Sequence, residues 1–365
     1  MKHVINRKPA IVIAKLQPVS PQVTLVDGYS AATLSACNLA VMISEPPHMP
    51  EYRYQSLPEV GDIRLLKLEP GTKEDYIQCR LEIISLEDAF RTYECISYVW
   101  GDSTKDRRII VDGHSFYTTL SVFDALQQFR DETATKTLWV DAICIEQTNL
   151  PEKGRQVQSM GKIYENGLRT LVWLGPDQLG IAKETTAFIK STSQVARDLC
   201  RRYGSIVNIP VLSKAENPIS QDVQKWKLFE TFVNLCWFTR VWVMQEVGIA
   251  PDVTMHWGDA EVRFSDVINL NEFQRHAPQV LPVYPMSWLL HDGFVGLFMW
   301  YGNPDTWRAQ VIPDILVEGA RLVPEPNFID ALIQSSRRNV TDWRDHVFAI
   351  LGHPLAKMGD STIGN

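Results

Sequence analysis

A strand, a helix and a second strand follow one another between residues 138 and 175, and this order constrains the fold more than any other feature. The runs Leu138-Trp139-Val140 and Leu171-Val172-Trp173-Leu174 predict buried strands. Between them, Asn149-Leu150-Pro151 supplies a helix cap and a proline suited to the first helical turn. Two strands joined by a helix usually run parallel. The sequence therefore predicts an α/β protein.

The composition is typical of a globular protein of ordinary solubility. The chain has 365 residues, of which 45% are hydrophobic and 22% are charged. Its formal net charge of −7 gives no electrostatic reason to expect nucleic acid or an anionic membrane as a partner. No apolar stretch reaches the ~20 residues that a membrane helix needs. We therefore expect a cytoplasmic protein with no nucleic acid and no membrane partner.

Cofactor and metal motifs are missing from the sequence. The six cysteines are scattered and have no metal-ligand spacing, which favours free thiols. No glycine-rich dinucleotide motif, P-loop, HExxH motif or nucleophile elbow occurs. The sequence predicts neither a cofactor nor a metal.

Changes in pattern divide the chain into three parts. Proline-rich breaks predict an irregular arm over residues 1–56. The α/β core is predicted over residues 57–250. A helical and irregular cover packed on this core is predicted over residues 251–365. The core opens with two predicted hairpins, one around Pro70-Gly71 and one that turns at Gly113-His114. The run 240–247 is compatible with a strand or with a buried helix.

Three candidate catalytic residues follow the strand at residue 138. Asp141 is a candidate acid or base, and a cap of the following loop is its alternative role. Cys144 is a candidate nucleophile, with core packing as the alternative. Glu146 is the sharpest candidate, because a desolvated carboxyl group near Asp141 would have a raised pKa. A solvated loop glutamate is its alternative.

Further candidates border this strand end or follow it. The strand 93–100 ends in Trp100, Gly101 and Asp102, which would give an aromatic wall, close backbone approach and a polar contact to a ligand. The alternative is core packing of Trp100 beside a simple turn. Gln147 and Arg155 complete the predicted binding residues. Glu152 fits the first turn of a helix, and Glu246 is predicted to be a charge partner of Arg240 in the core.

Four blocks of the chain resemble the fungal heterokaryon incompatibility (HET) domain. They are 93–102, 138–157 in part, 160–175 in part and 237–246, and a fifth similar block is Asp345 to Gly352. The resemblance implies a core similar to the Toll/interleukin-receptor (TIR) fold, with a flavodoxin-like, mostly parallel sheet flanked by helices. The hairpin at its start and the C-terminal cover would be additions. Where the family usually has an Asn-Gln pair, this chain has Glu146-Gln147.

The resemblance leaves two classes of function open. The first is an incompatibility or cell-death signalling module that self-associates or binds a protein partner. The second is an enzyme that performs acid–base isomerisation or cyclisation of a small molecule in a biosynthetic pathway, or cleaves NAD as some TIR relatives do with a glutamate. Glu146 and the lack of appended modules, which family members often have, favour the second class.

Overall fold

The computed structural model describes residues 49–282, 306, 311, 328–336, 338–340, 342–351, 357–358 and 361–362. Most of the predicted arm, residues 1–48, lies outside the described residues, and so does much of the predicted cover. The described residues fall within one unit that spans residues 48–365.

Nine strands form one sheet. They are β1 (Asp62–Leu68), β2 (Gln78–Ser85), β3 (Glu94–Tyr98), β4 (Arg107–Val111), β5 (His114–Thr118), β6 (Lys136–Trp139), β7 (Thr170–Trp173), β8 (Val253–Trp257) and β9 (Ala260–Arg263). The strand order is β5-β4-β2-β1-β6-β3-β7-β8-β9. Neighbours are parallel from β6 through β3 and β7 to β8, and between β2 and β4, whereas the other neighbours are antiparallel. The predicted α/β class is confirmed, and the sheet is mixed rather than mostly parallel.

Helices connect and cover these strands. They are α1 (Leu120–Phe129), α2 (Asp141–Cys144), α3 (Leu150–Asn166), α4 (Ala182–Tyr203), α5 (Val223–Val233), α6 (Val243–Glu246), α7 (Phe264–His276), α8 (Phe328–Ser336) and α9 (Asp345–Leu351). Short 3-10 helices span Ile206–Asn208, Cys236–Thr239 and Pro278–Val280, and β10 (Lys357–Met358) pairs with β11 (Ser361–Thr362). The run left open between strand and helix therefore contains α6. No helix in the described part of the chain is long and apolar enough to cross a membrane.

Helices lie on both faces of the parallel strands. On one face, Phe129 at the end of α1 contacts the ring of Trp173 edge-on at 6.4 Å. On the other, the thiol of Cys95 donates to the carbonyl oxygen of Ile163 in α3 at 3.6 Å. Because successive side chains of a strand point to opposite faces, strands covered on both sides are apolar throughout, as β7 is.

The two predicted hairpins are present, and one turn differs by a residue. Strands β1 and β2 are antiparallel, as the alternation around Pro70-Gly71 predicts. Strands β4 and β5 are paired from Arg107 to Thr118, but the turn is Asp112-Gly113 rather than Gly113-His114. Both turn residues have positive φ, 49° and 74°, which a two-residue hairpin turn requires and which Asp-Gly favours. His114 instead pairs with Val111.

Residues 253–263 lie within the predicted C-terminal cover, and they form strands of the sheet itself. β8 runs parallel to β7, and β9 returns antiparallel to β8 through Gly258-Asp259. Gly258 has a φ of +54°, and a Cβ there would lie 3.0 Å from the Cβ of Asp177. Residues that follow the predicted core therefore form this edge of the sheet.

Candidate functional site

The carboxyl ends of β3 and β6 lie side by side. The two strands are parallel neighbours, with Cys95 opposite Trp139. This register brings Tyr98, the last residue of β3, level with the start of α2, where Asp141 is the first residue. In open α/β sheets, ligands collect at the carboxyl ends of parallel strands. The sequence analysis predicted that these two strand ends border each other, and the topology has them adjacent.

Asp141 is bonded through both of its carboxylate oxygens. The hydroxyl of Tyr98 donates to Oδ1 at 2.7 Å, and Nε1 of Trp100 donates to Oδ2 at 3.1 Å. The backbone N–H of Ala142 also donates to Oδ1, at 2.7 Å. The carboxylate therefore accepts from a backbone N–H of α2 and links the two strand ends. We call Tyr98, Trp100 and Asp141 the strand-end network.

Burial raises the pKa of Asp141. The desolvation effect is the largest, the hydrogen bond from Tyr98 opposes it, and the negative charge of Glu246 adds to it while Arg240 opposes it. The sequence predicts that Asp141 raises the pKa of Glu146, whereas the charged neighbours that act on Asp141 are Glu246 and Arg240. Burial beside Asp141 also raises the pKa of Tyr98, which therefore stays a hydrogen-bond donor.

A buried ion pair, Arg240–Glu246, acts by its charges on Asp141 of the strand-end network. Arg240 donates to both carboxylate oxygens of Glu246 at 2.9 Å, and the Glu246 side chain is 3% exposed. The hydroxyl of Ser97 donates to Glu246 and accepts from Nε1 of Trp237 at 2.7 Å. Thr170 donates to the Glu246 carbonyl oxygen at 2.8 Å. The predicted pairing of Glu246 with Arg240 in the core is confirmed.

Trp100 presents a half-exposed indole at the edge of the strand-end network. Its exposed fraction is 48%, so the ring is not core packing. Gly101 follows with a φ of +61°, a conformation that favours glycine. Asp102 is exposed and accepts from the backbone N–H and the hydroxyl of Thr104 at 3.0 and 2.9 Å. Asp102 thus fixes its own turn, and Trp100 supplies the accessible surface.

Gln147 and Cys144 hold the short helix α2 in place. Nε2 of Gln147 donates to the carbonyl oxygen of Asp141 at 2.9 Å. Cys144 is 1% exposed, and its sulfur accepts from the backbone N–H of Val140 at 3.4 Å. Burial raises the pKa of this thiol to about 12. The thiol is therefore protonated and enclosed at neutral pH, which does not suit a nucleophile.

We expect Cys144 to resist alkylation in the folded protein. Treatment with iodoacetamide at neutral pH should label Cys236, which is exposed, well before Cys144. Peptide mass mapping over time measures both rates in one sample, and urea should make the two rates similar. Equal labelling of both cysteines in the folded state would contradict this placement of Cys144.

Glu146 belongs to a different set of contacts from Asp141. Its carboxylate accepts from Nδ2 of Asn149 at 3.4 Å, and its backbone N–H donates to Glu152 at 3.1 Å. Glu152 is buried, and its two oxygens accept from Arg64 at 2.6 and 3.0 Å. Arg155 is exposed and acts on Glu152 by its charge alone. The predicted candidates therefore separate into two groups, one around Asp141 and one around Glu152.

Arg64 is the principal residue that the sequence analysis missed. It is 1% exposed, donates to the carbonyl oxygens of Gln55 and Cys144, and lies 4.9 Å from the ring centroid of Tyr54. Tyr54 in turn donates to the carbonyl oxygen of Ile143 at 2.8 Å. The described end of the predicted arm therefore helps to fix α2. The signal in the sequence is weak, because β1 contains two cations, Arg64 and Lys67, and no local pattern shows that Arg64 is the buried one.

Among the described residues, no three side chains of the histidine, cysteine, aspartate and glutamate types are placed to hold a metal ion. The site is thus a hydrogen-bonded network at the end of a parallel sheet, with one half-exposed aromatic ring. These features define an α/β protein whose candidate site joins two strand ends and a buried ion pair.

Comparison with known proteins shows what part of the chain is similar to. Residues 93–246 match the family model described as heterokaryon incompatibility protein (HET). The chain is also similar to heterokaryon incompatibility protein 6, OR allele, of Neurospora crassa, with 25% identity over 335 residues that cover 80% of this chain and 47% of the relative. The predicted resemblance to the fungal HET family is therefore confirmed over the matched segment, which contains Tyr98, Asp141 and Glu246. The chain spans about half the length of this relative, and no solved structure matches it.

Proposed function

We propose that this protein is an incompatibility-related signalling module that acts through a protein partner or a second copy of itself. The family match supports an incompatibility-related role in general, and the strand-end network supports the signalling class. The key observation for this proposal is that Oδ1 of Asp141 accepts a hydrogen bond from Tyr98 and Oδ2 accepts one from Trp100. The groups at the strand end thus hold one another and position a half-exposed indole. Exposed aromatic rings on rigid elements are frequent anchors of protein interfaces.

Expression in a fungal host tests this proposal. Induction of the native chain in a filamentous fungus is expected to stop growth. Asp141→Asn should weaken partner binding at least about tenfold, a loss of about 1.4 kcal/mol, and should thereby restore viable colonies. The amide can still accept from Tyr98 but offers N–H where Trp100 needs an acceptor. Trp100→Ala should act in the same direction because it removes the ring.

The matched control is Asp102→Asn, which changes an exposed carboxylate two residues from Trp100. It should leave the growth effect unchanged. Immunoblots and thermal melts of each variant separate loss of signalling from loss of protein. If Asp141→Asn and Trp100→Ala accumulate normally and arrest growth as the native chain does, the proposal is wrong.

A second candidate function is acid–base chemistry on a small molecule, NAD cleavage included. One observation favours it: Asp141 is a half-buried carboxyl group with a raised pKa beside a half-exposed ring. Purified protein incubated with NAD, and separately with a fungal metabolite extract, should then show turnover that Asp141→Asn abolishes. Glu146→Gln should retain turnover, because Glu146 lies in the Glu152 group. Turnover lost in Glu146→Gln alone would instead favour Glu146 as the acid.

A further inference from the structure

A wide cleft of about 1300 Å³ opens at the end of the sheet opposite to the strand-end network. Lys136, Arg169 and Asp252 line it, and they lie at the amino ends of β6, β7 and β8. Asp141 lies past the carboxyl end of β6, so the two sites lie at opposite ends of this strand. The end of α1, helix α4, strand β9 and the first turn of α7 form much of the rest of the described lining.

The cleft carries an excess of positive charge, although the chain is acidic as a whole. The basic side chains that line it are Lys136, Arg169, Lys190, Arg197, Arg201 and Arg263. The acidic ones are Asp252, Glu261 and Asp266. His256 adds no charge at neutral pH, because burial lowers its pKa to about 4. A local field opposite in sign to the net charge selects anionic ligands.

Helix α4 turns one polar face to this cleft. Lys190, Gln194, Arg197 and Arg201 line the cleft at spacings of four, three and four residues, which places them on one side of the helix. A single helix therefore presents three cations and an amide along the length of the cleft. Such a row can contact several anionic groups of one ligand at once.

Some of these cations are paired, and others keep their charge available. Arg169 binds Glu94 at 2.5 Å, Arg197 binds Asp266 at 2.8 Å, and Arg201 binds Asp198 at 2.7 Å. For Lys136 and Lys190, no carboxylate in the described part of the chain lies within ion-pair distance. Structural ion pairs alone therefore leave part of the positive charge of the cleft without a counterion.

We propose that this cleft binds a small molecule that carries several phosphate groups. Its volume exceeds the roughly 300–1,000 Å³ of common small-molecule pockets, which suits a large and strongly hydrated ligand. Guanidinium groups bind phosphate oxygens in pairs, and lysine ammonium groups add point charges. Nucleotides and inositol phosphates share this chemistry.

Titration calorimetry of the full chain with three probes tests the proposal. Tripolyphosphate, ATP and inositol hexakisphosphate are each expected to bind, and added salt should weaken the binding because these charges are exposed. ATP binding more tightly than tripolyphosphate would support a nucleotide ligand. Inositol hexakisphosphate binding more tightly than both would support an inositol phosphate.

Two pairs of variants on α4 locate the binding. Lys190→Gln and Arg201→Gln together should raise the Kd of the tightest probe on the order of tenfold. Lys183→Gln and Arg202→Gln change exposed cations of the same helix that do not line the cleft, and they should have little effect. Asp141→Asn should leave the Kd unchanged, so the result is independent of the proposed signalling function.

Two results would overturn the proposal. One is that none of the three probes binds at millimolar concentration to protein with a native thermal melt. The other is that both pairs of variants weaken binding equally, since general attraction to a basic helix would then account for it.

Discussion

Replacing Glu246 by alanine is expected to lower the free energy of unfolding by about 3–5 kcal/mol, because it leaves the charge of Arg240 buried without a counterion. The side chains of Glu246 and Arg240 are only 3% and 15% exposed. The change also removes the acceptor of the Ser97 hydroxyl, which is itself bonded to Trp237. Urea unfolding at neutral pH, followed by tryptophan fluorescence, measures the effect.

An exposed ion pair provides the matched control for this measurement. Asp198 and Arg201 are in contact at 2.7 Å on the surface of α4, and both side chains are more than half exposed. Asp198→Ala should cost less than about 0.5 kcal/mol, since water screens such pairs. If Glu246→Ala does not fold, Arg240→Met gives a second measurement of the same pair. A cost for Glu246→Ala as small as that of Asp198→Ala would mean that the pair is not buried as described.

The parallel centre of the fold could be predicted because its sequence signals are local. Strands β3, β6 and β7 are short apolar runs that end in glycine, acid or proline, and α3 has a cap and a proline at its start. The placement of Trp100 beside Asp141 followed from one general rule, that parallel strands present their carboxyl ends at one edge. The Arg240–Glu246 pair was predictable because a charged pair in an apolar run needs mutual compensation.

Other features depend on distant contacts that no local pattern encodes. The side chain of Asp141 turns toward Tyr98 and Trp100 rather than Glu146 because β3 is its neighbour in the sheet. The strand β8 does have a local signal, since its residues alternate between buried and partly exposed and Gly258-Asp259 follows it. The proline-rich stretches farther along the chain outweighed that signal in the prediction of an irregular cover.

Arg64 is the clearest example of a contact that the sequence conceals. β1 lies at the centre of the sheet between β2 and β6, and Arg64 is 1% exposed there, whereas the Lys67 side chain in the same strand is 27% exposed. Its partner, Glu152, is 88 residues away on α3. The first-turn position of Glu152 explains its local preference for a helix start, but only the fold brings it to Arg64.

The Arg64–Glu152 ion pair should contribute to a decrease in the free energy of unfolding at low pH. Replacing Glu152 by glutamine should remove this contribution. Burial of Glu152 raises its pKa, but the bonds from Arg64 and from the backbone N–H of Glu146 more than offset this, so the net shift is downward. A carboxyl group whose pKa is lowered in the folded state stabilises the fold at pH values above 4.5, which is its ordinary pKa. This stabilisation is lost as the pH falls through the lowered pKa.

Glu152→Gln should therefore cost about 3–5 kcal/mol at neutral pH, where it leaves Arg64 buried without a counterion. The difference between the native chain and this variant should shrink as the pH is lowered from about 7 toward about 3, because protonation removes the same charge from the native chain. Urea unfolding of both proteins across this range measures the difference, in which the titration of other carboxylates cancels.

Glu82→Gln, which changes the half-exposed partner of Lys67, is the control and should stay within about 0.5 kcal/mol of the native chain. A difference between the native chain and Glu152→Gln that is the same at both ends of the range would show that the charge of Glu152 is not what stabilises α3 against β1.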